Sequence, residues 1–251
     1  MGDEHKEETE QPEEQHSEEQ QEQHQEEQPQ EGLEEVLREK DAKIAELEAK
    51  VAEAAKADET AKGLREEIEK LAAWSGRFGK LTAMQAKGDL PTRITHNYTK
   101  INNVMLDEET DTAVCVIDLD TVMPGLVLYD FGDMVRTATC RANEDEEDLS
   151  KVYMQLPFFE SLAEGYLDAA HGFLTPTEVD WLAFSGWLIT TEIGMRFLTD
   201  YLDGDKYFRT SKPEHNLIRA RNQFKLAESI DSHLEQMQQY IRRLMRSYGK
   251  R

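Results

Sequence analysis

Basic charge is scarce in this chain of 251 residues: 29 Lys and Arg stand against 52 Asp and Glu, a net charge of -23. Nucleic acid and anionic membrane are thereby excluded as partners, since each needs a basic face to neutralise phosphates. Cysteine is almost absent. Cys115 and Cys140 are too far apart for a metal-type pair, Cys115 falls inside an expected buried strand, and two thiols without a framework fit a reducing compartment. No apolar run approaches the length of a membrane span, and the first residues have neither the basic region nor the apolar core of a signal peptide. The expectation is a soluble cytoplasmic protein.

Charge and apolar residues are unevenly distributed. Residues 1–32 hold 13 acids, one Lys and eight Gln, and apart from Met1 no apolar side chain. Such a segment cannot bury enough surface to offset its ordering entropy, so it is expected to be a disordered acidic tail. Its three histidines, His5, His16 and His24, read as solvated side chains rather than a metal site.

Residues 33–87 form a helical leader in this reading. Leu37, Ile44 and Val51 recur every seven residues, with Leu33, Leu47 and Ala54 interleaved, which describes a short coiled-coil seam of about three heptads. Lys40 interrupts it and Asp58 ends it; packing of this helix on the following domain is the alternative. A second helix carries Leu64, Ile68, Leu71 and Trp74 to Lys80 or beyond, and Gly88-Asp89-Leu90-Pro91 closes it.

Residues 88–251 form the main domain in this reading. Short strands near Asn103–Leu106 and Ala113–Ile117, joined by the acidic turn Asp107–Asp111, predict a hairpin. Beyond Pro124 the period is helical. Thr175-Pro176-Thr177-Glu178 combines a cap, a first-turn Pro and a capping-box Glu ahead of a helix to about Leu202. Ile230, Leu234, Met237, Ile241 and Leu244 mark a final helix, and Arg242, Arg243 and Arg246 near its end suit the negative end of the helix dipole.

The chemistry concentrates in His96-Asn97-Tyr98-Thr99-Lys100-Ile101-Asn102-Asn103, with Asp118 fifteen residues after Asn103. Kinase-like phosphotransferases place an Asp five residues before a metal-binding Asn, and a second metal-binding Asp after the next strand, because these groups converge on one phosphoryl group. Here the first of the three is Tyr98. A phenol with a pKa of about 10 is neutral at pH 7 and cannot serve as the base.

These residues, together with Cys115-Val116-Ile117-Asp118-Leu119-Asp120-Thr121-Val122-Met123-Pro124-Gly125, Leu128-Tyr129-Asp130-Phe131-Gly132-Asp133 and the run Arg219 to Leu226, carry a family resemblance. From about residue 60 to 240 the chain resembles the C-terminal part of the aminoglycoside phosphotransferase and choline kinase superfamily, most closely its N-acetylhexosamine 1-kinase-like branch. The resemblance implies an α+β fold: a mostly helical kinase-like C-lobe with a short hairpin. It implies Mg-ATP as cofactor, with Asn103 and Asp118 as metal ligands and Tyr98 in the place of the catalytic Asp. His96 and Asp120 would support the site, and Asp130 would brace the catalytic loop from the start of a helix; the literal Asp130-Phe131-Gly132 is not the metal motif. Arg196 and Tyr207 would contact the sugar. Arg196, at the edge of the stripe of Leu182, Gly186, Ile189 and Ile193, also needs a polar partner, for which a structural salt bridge serves as well as a substrate.

The family's N-terminal lobe is a sheet with a loop over the phosphates, and nothing before residue 88 reads as strands or as a glycine-rich loop. The N-lobe sheet is therefore expected to be absent, and the chain alone inactive or slowed. The functions consistent with this are an impaired hexosamine-type kinase, a non-catalytic sugar- or nucleotide-binding module, or an interaction protein. In the last, the leader would join a second copy or a partner chain.

Overall fold

The computed structural model describes residues 38–40, 42–51 and 64–249. The acidic stretch 1–32 lies outside the described residues, as do Leu33, Leu37, Ala54 and Asp58 of the expected seam. The chain divides into two compact units, Met1–Glu66 and Glu67–Arg251. In the first, residues 38–40 and 42–51 are helical. Glu46 bridges Lys43 at 2.8 Å and Lys50 at 2.6 Å along the helix surface, and Ile44, Leu47 and Val51 of the seam are exposed.

From Glu67 the second unit carries most of helix α1 (Arg65–Trp74), a 3-10 turn (Ser75–Arg77) and α2 (Lys80–Lys87). One continuous helix was the expectation; Ser75 breaks it by turning its hydroxyl back onto the Ala72 carbonyl at 2.7 Å, with the weak helix formers Gly76 and Gly79 close behind. Residues 67–87 belong to this unit rather than to a separate leader because their aromatic side chains enter the core. Trp74 meets Trp187 edge-on at 5.7 Å, Phe78 stacks on Trp187 at 6.0 Å, and Leu81 is fully buried. The guanidinium of Arg77 covers the Trp187 ring at 3.7 Å. Gly88 then ends α2 with φ 84°, a left-handed conformation that glycine reaches at no steric cost.

Two small antiparallel pairs follow, and among the described residues the strands form no larger sheet. Strand β1 (Arg93–Thr95) pairs with β4 (Met123–Gly125), and β2 (Val104–Leu106) with β3 (Ala113–Val116), in register Val104 to Val116. The β2–β3 pair is the expected hairpin, and its turn is nucleated by Asp107, whose carboxylate accepts the Glu109 and Thr110 N–H groups at 3.1 and 2.9 Å. Its burial differs from expectation. Every residue of β3 is exposed, Cys115 included, because β2 is its only neighbouring strand among the described residues and the ribbon belongs to no larger sheet. The β1–β4 pair was unforeseen: three-residue strands, one of them containing Pro124, show no alternation.

Four helices complete the unit: α3 (Val127–Ala138), α4 (Leu156–Ala170), α5 (Pro176–Leu202) and α6 (His215–Tyr248). The architecture is thus α+β and mostly helical. Helix α5 is the axis of the core, packed along α6 and α3. It starts with the capping box read from sequence: Thr175 Oγ1 accepts the Glu178 N–H at 3.2 Å and Glu178 Oε2 accepts the Thr175 N–H at 2.8 Å. Phe131, Val135, Leu182, Trp187, Ile230, Met237 and Ile241 are fully buried between these helices, each worth about 1.5–3 kcal/mol of transfer free energy. The close contact of α3 with α5 depends on Gly132, where a Cβ would fall 2.5 Å from the Ser185 carbonyl oxygen.

Candidate functional site

The loop from His96 to Asn103 leaves β1 and is tied at three points to the first turn of α3. Asp130 accepts the His96 N–H at 2.9 Å and the Asn97 N–H at 2.6 Å, and its carbonyl accepts the Thr99 hydroxyl at 2.6 Å. Burial pushes the Asp130 carboxyl up from its ordinary value, and the two backbone N–H bonds work against that shift. These bonds hold Asn97 at φ 62°, a left-handed conformation uncommon outside glycine.

His96 joins this loop to the end of β3: its Nε2 lies 2.9 Å from the Ile117 carbonyl, which assigns the proton to Nε2, and its buried Nδ1 has no partner among the described residues. Thr121 donates to the His96 carbonyl at 2.7 Å, and the Asn97 amide donates to the Thr121 carbonyl at 3.1 Å. The strand end carrying Asp118 is thereby fastened to the His96–Asn103 loop from both sides.

Asn103 and Asp118 come together as a result. Asn103 is buried, and its Nδ2 donates to the Tyr98 carbonyl at 2.8 Å and faces Asp118 Oδ2 at 3.5 Å. Asp118 is exposed at φ 62° and ψ 53°, a strained turn that Asp tolerates better than most residues. The pair offers an amide oxygen and a carboxylate, hard donors of the kind Mg²⁺ takes while keeping waters and substrate phosphates as its remaining ligands. A site of that type fits. The described residues contain no cluster of three or more His, Cys, Asp or Glu that could hold a metal, so a metal here would depend on phosphate oxygens. Asp120 is exposed on the following 3-10 turn and, among the described residues, makes no hydrogen bond or ion pair to Asn103 or Asp118.

Beside the loop is a cavity of about 410 Å³ lined by Asn97, Tyr98, Phe78, Tyr129, Asp133, Glu192 and Arg196 with apolar residues of α5. Tyr98 is partly buried in its wall, with the Lys100 ammonium 4.8 Å from the ring. Asp133 is 5% exposed; Arg136 Nε donates to its Oδ1 at 2.8 Å, while Oδ2 has no partner among the described residues. Burial pushes the Glu192 carboxyl up, against the pull of Arg196 and Arg136. A pocket with few convergent polar groups on an apolar wall suits a small hydroxyl-bearing ligand.

Arg196 lines this cavity with its side chain half exposed, so the burial penalty expected from the stripe does not arise. It faces Glu192 at 3.8 Å, reaches the Tyr207 hydroxyl at 3.4 Å and lies over the rings of Tyr207 and Phe208 at 5.6 and 5.4 Å. Tyr207 does not line the Tyr98 cavity. It belongs to a second one, of about 460 Å³, that shares Glu192, Met195 and Arg196 with the first. The sequence reading missed Tyr129, Asp133 and Glu192 as wall residues. The only signal for Glu192 was its position one helical turn before Arg196.

A family model described as "Phosphotransferase enzyme family" matches residues 19–187, which contain the whole loop, Asn103, Asp118 and Asp130.

Proposed function

The chain belongs to the phosphotransferase enzyme family, and from that membership we propose that it binds Mg-ATP at Asn103 and Asp118 and phosphorylates a small sugar hydroxyl slowly. The acceptor assigned is an N-acetylhexosamine, through its anomeric hydroxyl. The slowness is assigned to Tyr98. One observation carries the reading: the carbonyl of Tyr98 is held by Asn103 at 2.8 Å while its side chain lines the adjoining cavity, so one residue joins the metal pair to the acceptor pocket.

When bound, Mg²⁺ would supply charge neutralisation at the transferring phosphoryl group. The protein's own contribution is positional. Asp130 fixes the backbone of the loop, His96 fixes the strand end that carries Asp118, and the cavity orients the acceptor while excluding water from one side. Tyr98 can donate or accept a hydrogen bond but cannot take the acceptor proton as a carboxylate would, and loss of a general base costs about 10² to 10⁴ in rate. Positioning alone still supports transfer, because the phosphoryl transition state is loose and depends chiefly on alignment and electrostatics.

The test is calorimetric titration with Mg-ATP, with and without N-acetylglucosamine, followed by single-turnover transfer from labelled ATP. Mg-dependent binding lost in Asp118→Ala, with slow sugar-dependent transfer, is the expected result. Binding of both ligands without transfer would favour a non-catalytic module, the reading that Tyr98 itself supports. Failure of a folded sample to bind nucleotide would overturn the proposal.

A further inference from the structure

Transfer of a phosphoryl group to a hydroxyl releases a proton, and Tyr98, a phenol that stays neutral at pH 7, does not take it. The cavity beside Tyr98 is lined by one further phenol, Tyr129 on α3, and by two carboxylates, Asp133 on α3 and Glu192 on α5. Burial, and after it the charge of Glu192, push the Tyr129 hydroxyl up, which takes it further from ionising. Asp133 is committed to the fold: it is 5% exposed, its Oδ1 accepts the buried Arg136 Nε at 2.8 Å, and its Oδ2 lies buried.

Glu192 is the carboxylate of the lining that a ligand can reach. Its side chain is 46% exposed, and its oxygen stands 3.8 Å from Arg196 Nε. A charge-assisted hydrogen bond closes to about 2.7–2.9 Å, so Arg196 lends Glu192 its field without occupying the oxygen. The charged and titratable groups around Glu192 come from both helices and the loop: Arg196 one turn along α5, Asp133, Arg136 and Tyr129 from α3, and Tyr98 on the same cavity. Burial pushes the Glu192 carboxyl up, Arg196 and Arg136 oppose the shift, and Asp133 adds to it. A carboxylate raised towards the working pH is a better proton acceptor than an ordinary surface one.

We propose that Glu192 is the proton acceptor of this site, taking the proton of the acceptor hydroxyl from the α5 wall of the cavity in the role that Tyr98 leaves open. In this step the hydroxyl oxygen bonds to the γ-phosphorus of ATP, and the bond from that phosphorus to the β,γ-bridging oxygen breaks. Its electron pair leaves with ADP, and the proton passes to the Glu192 carboxylate and from there to water. The assignment rests on the acceptor reading above and adds a catalytic residue to it.

The experiment is single-turnover transfer from labelled ATP to N-acetylglucosamine between about pH 5 and 8, with Glu192→Gln made both in the wild-type chain and in Tyr98→Asp. Glu192→Gln keeps the side-chain shape and an oxygen for Arg196. It is expected to slow the wild-type chain about tenfold or more and to abolish the rise of its rate with pH, while calorimetric affinity for the sugar and the melting midpoint stay unchanged. In Tyr98→Asp, where the new carboxylate takes the proton, the same substitution should have little effect. A wild-type chain that transfers and is not slowed by Glu192→Gln would overturn the role of Glu192 and leave the acceptor reading standing. Equal slowing in both backgrounds, or slowing accompanied by weaker sugar binding or a lower melting midpoint, would make Glu192 a structural residue and overturn the proposal. Absence of transfer by the wild-type chain would overturn the kinase reading itself, and this proposal with it.

Discussion

Asp130 receives the backbone N–H groups of His96 and Asn97, 34 and 33 residues earlier, one on each carboxylate oxygen. A charged acceptor that satisfies two loop donors fixes where the following side chains start. Asp130→Ala would leave both donors without that acceptor. The expected outcome is a stability loss of about 2 kcal/mol or more, read by urea unfolding, together with weaker Mg-ATP binding. Asp130→Asn keeps one acceptor oxygen and should fall between. Nucleotide binding unchanged in Asp130→Ala would show that the loop is held by other contacts.

Tyr98→Asp restores a carboxylate to the wall of the cavity, beside the Lys100 ammonium. Single-turnover transfer to N-acetylglucosamine should rise by about 10² or more, while Mg-ATP affinity stays close to that of the wild type. The rate should remain below that of an ordinary small-molecule kinase, because among the described residues the two strand pairs form no larger sheet of the kind the family's N-terminal lobe uses to carry its phosphate loop. An unchanged rate would mean that Tyr98 does not limit transfer.

Asp118 combines a left-handed backbone with the candidate metal carboxylate. Asp118→Gly removes both the strain and the ligand. Its thermal midpoint should stay level or rise, corresponding to a gain of up to about 1 kcal/mol, while Mg-dependent nucleotide binding is lost. Retained binding would remove Asp118 from the metal site.

Glu178 has a double duty: it completes the capping box of α5 and accepts the Arg93 guanidinium at 2.8 and 2.9 Å. Burial pushes its carboxyl up, yet Arg93 and Thr175 outweigh this and hold it below its ordinary value. Its folded pKa is therefore lower than that of the unfolded chain, about 4.3. The stabilisation is complete above that value and disappears as pH falls through the lower folded one. Glu178→Gln should lose stability at pH 7 and show a flatter melting profile between about pH 5 and 3 than the wild type. Parallel profiles would contradict this assignment.

Gly132 allows α3 to approach α5, with Ile189 Cγ1 only 2.7 Å from where a Cβ would stand. Gly132→Ala should cost about 1–3 kcal/mol through overpacking, measured by chemical denaturation. Gly165 on α4 has open space at the same position, so Gly165→Ala should be neutral or stabilising.

Local features were legible where a single residue type decides them. Thr175 and Glu178 announce a helix start, Gly88 a helix end and Asp107 a turn, each by chemistry confined to a few neighbours. Helical period likewise located Ile230, Met237 and Ile241 in the core. The wall of the Tyr98 cavity was not legible, because Phe78, Tyr129 and Glu192 meet only after the α1–α2 connection, α3 and α5 have packed. Periodicity also misjudged β3: Val114-Cys115-Val116-Ile117 has the composition of a buried strand, but burial depends on what covers a strand, and that information is not local. Tyr207 was placed with the sugar by resemblance, yet which cavity receives it depends on Asp200 organising a loop several residues beyond it.

The uncovered β2–β3 ribbon gives the protein a colloidal character. Met105, Leu106, Val114 and Val116 present apolar surface on a ribbon whose outer edges lack a neighbour among the described residues, the geometry that lets one chain pair with another. Opposing this is the mutual repulsion of molecules that each carry a charge of -23. Salt shortens the reach of that repulsion from about 30 Å at 0.01 M to about 3 Å at 1 M and leaves the apolar ribbon as adhesive as before. Any tendency of this ribbon to meet another copy would thus be set by the buffer as much as by the fold, held back in dilute salt and released in concentrated salt.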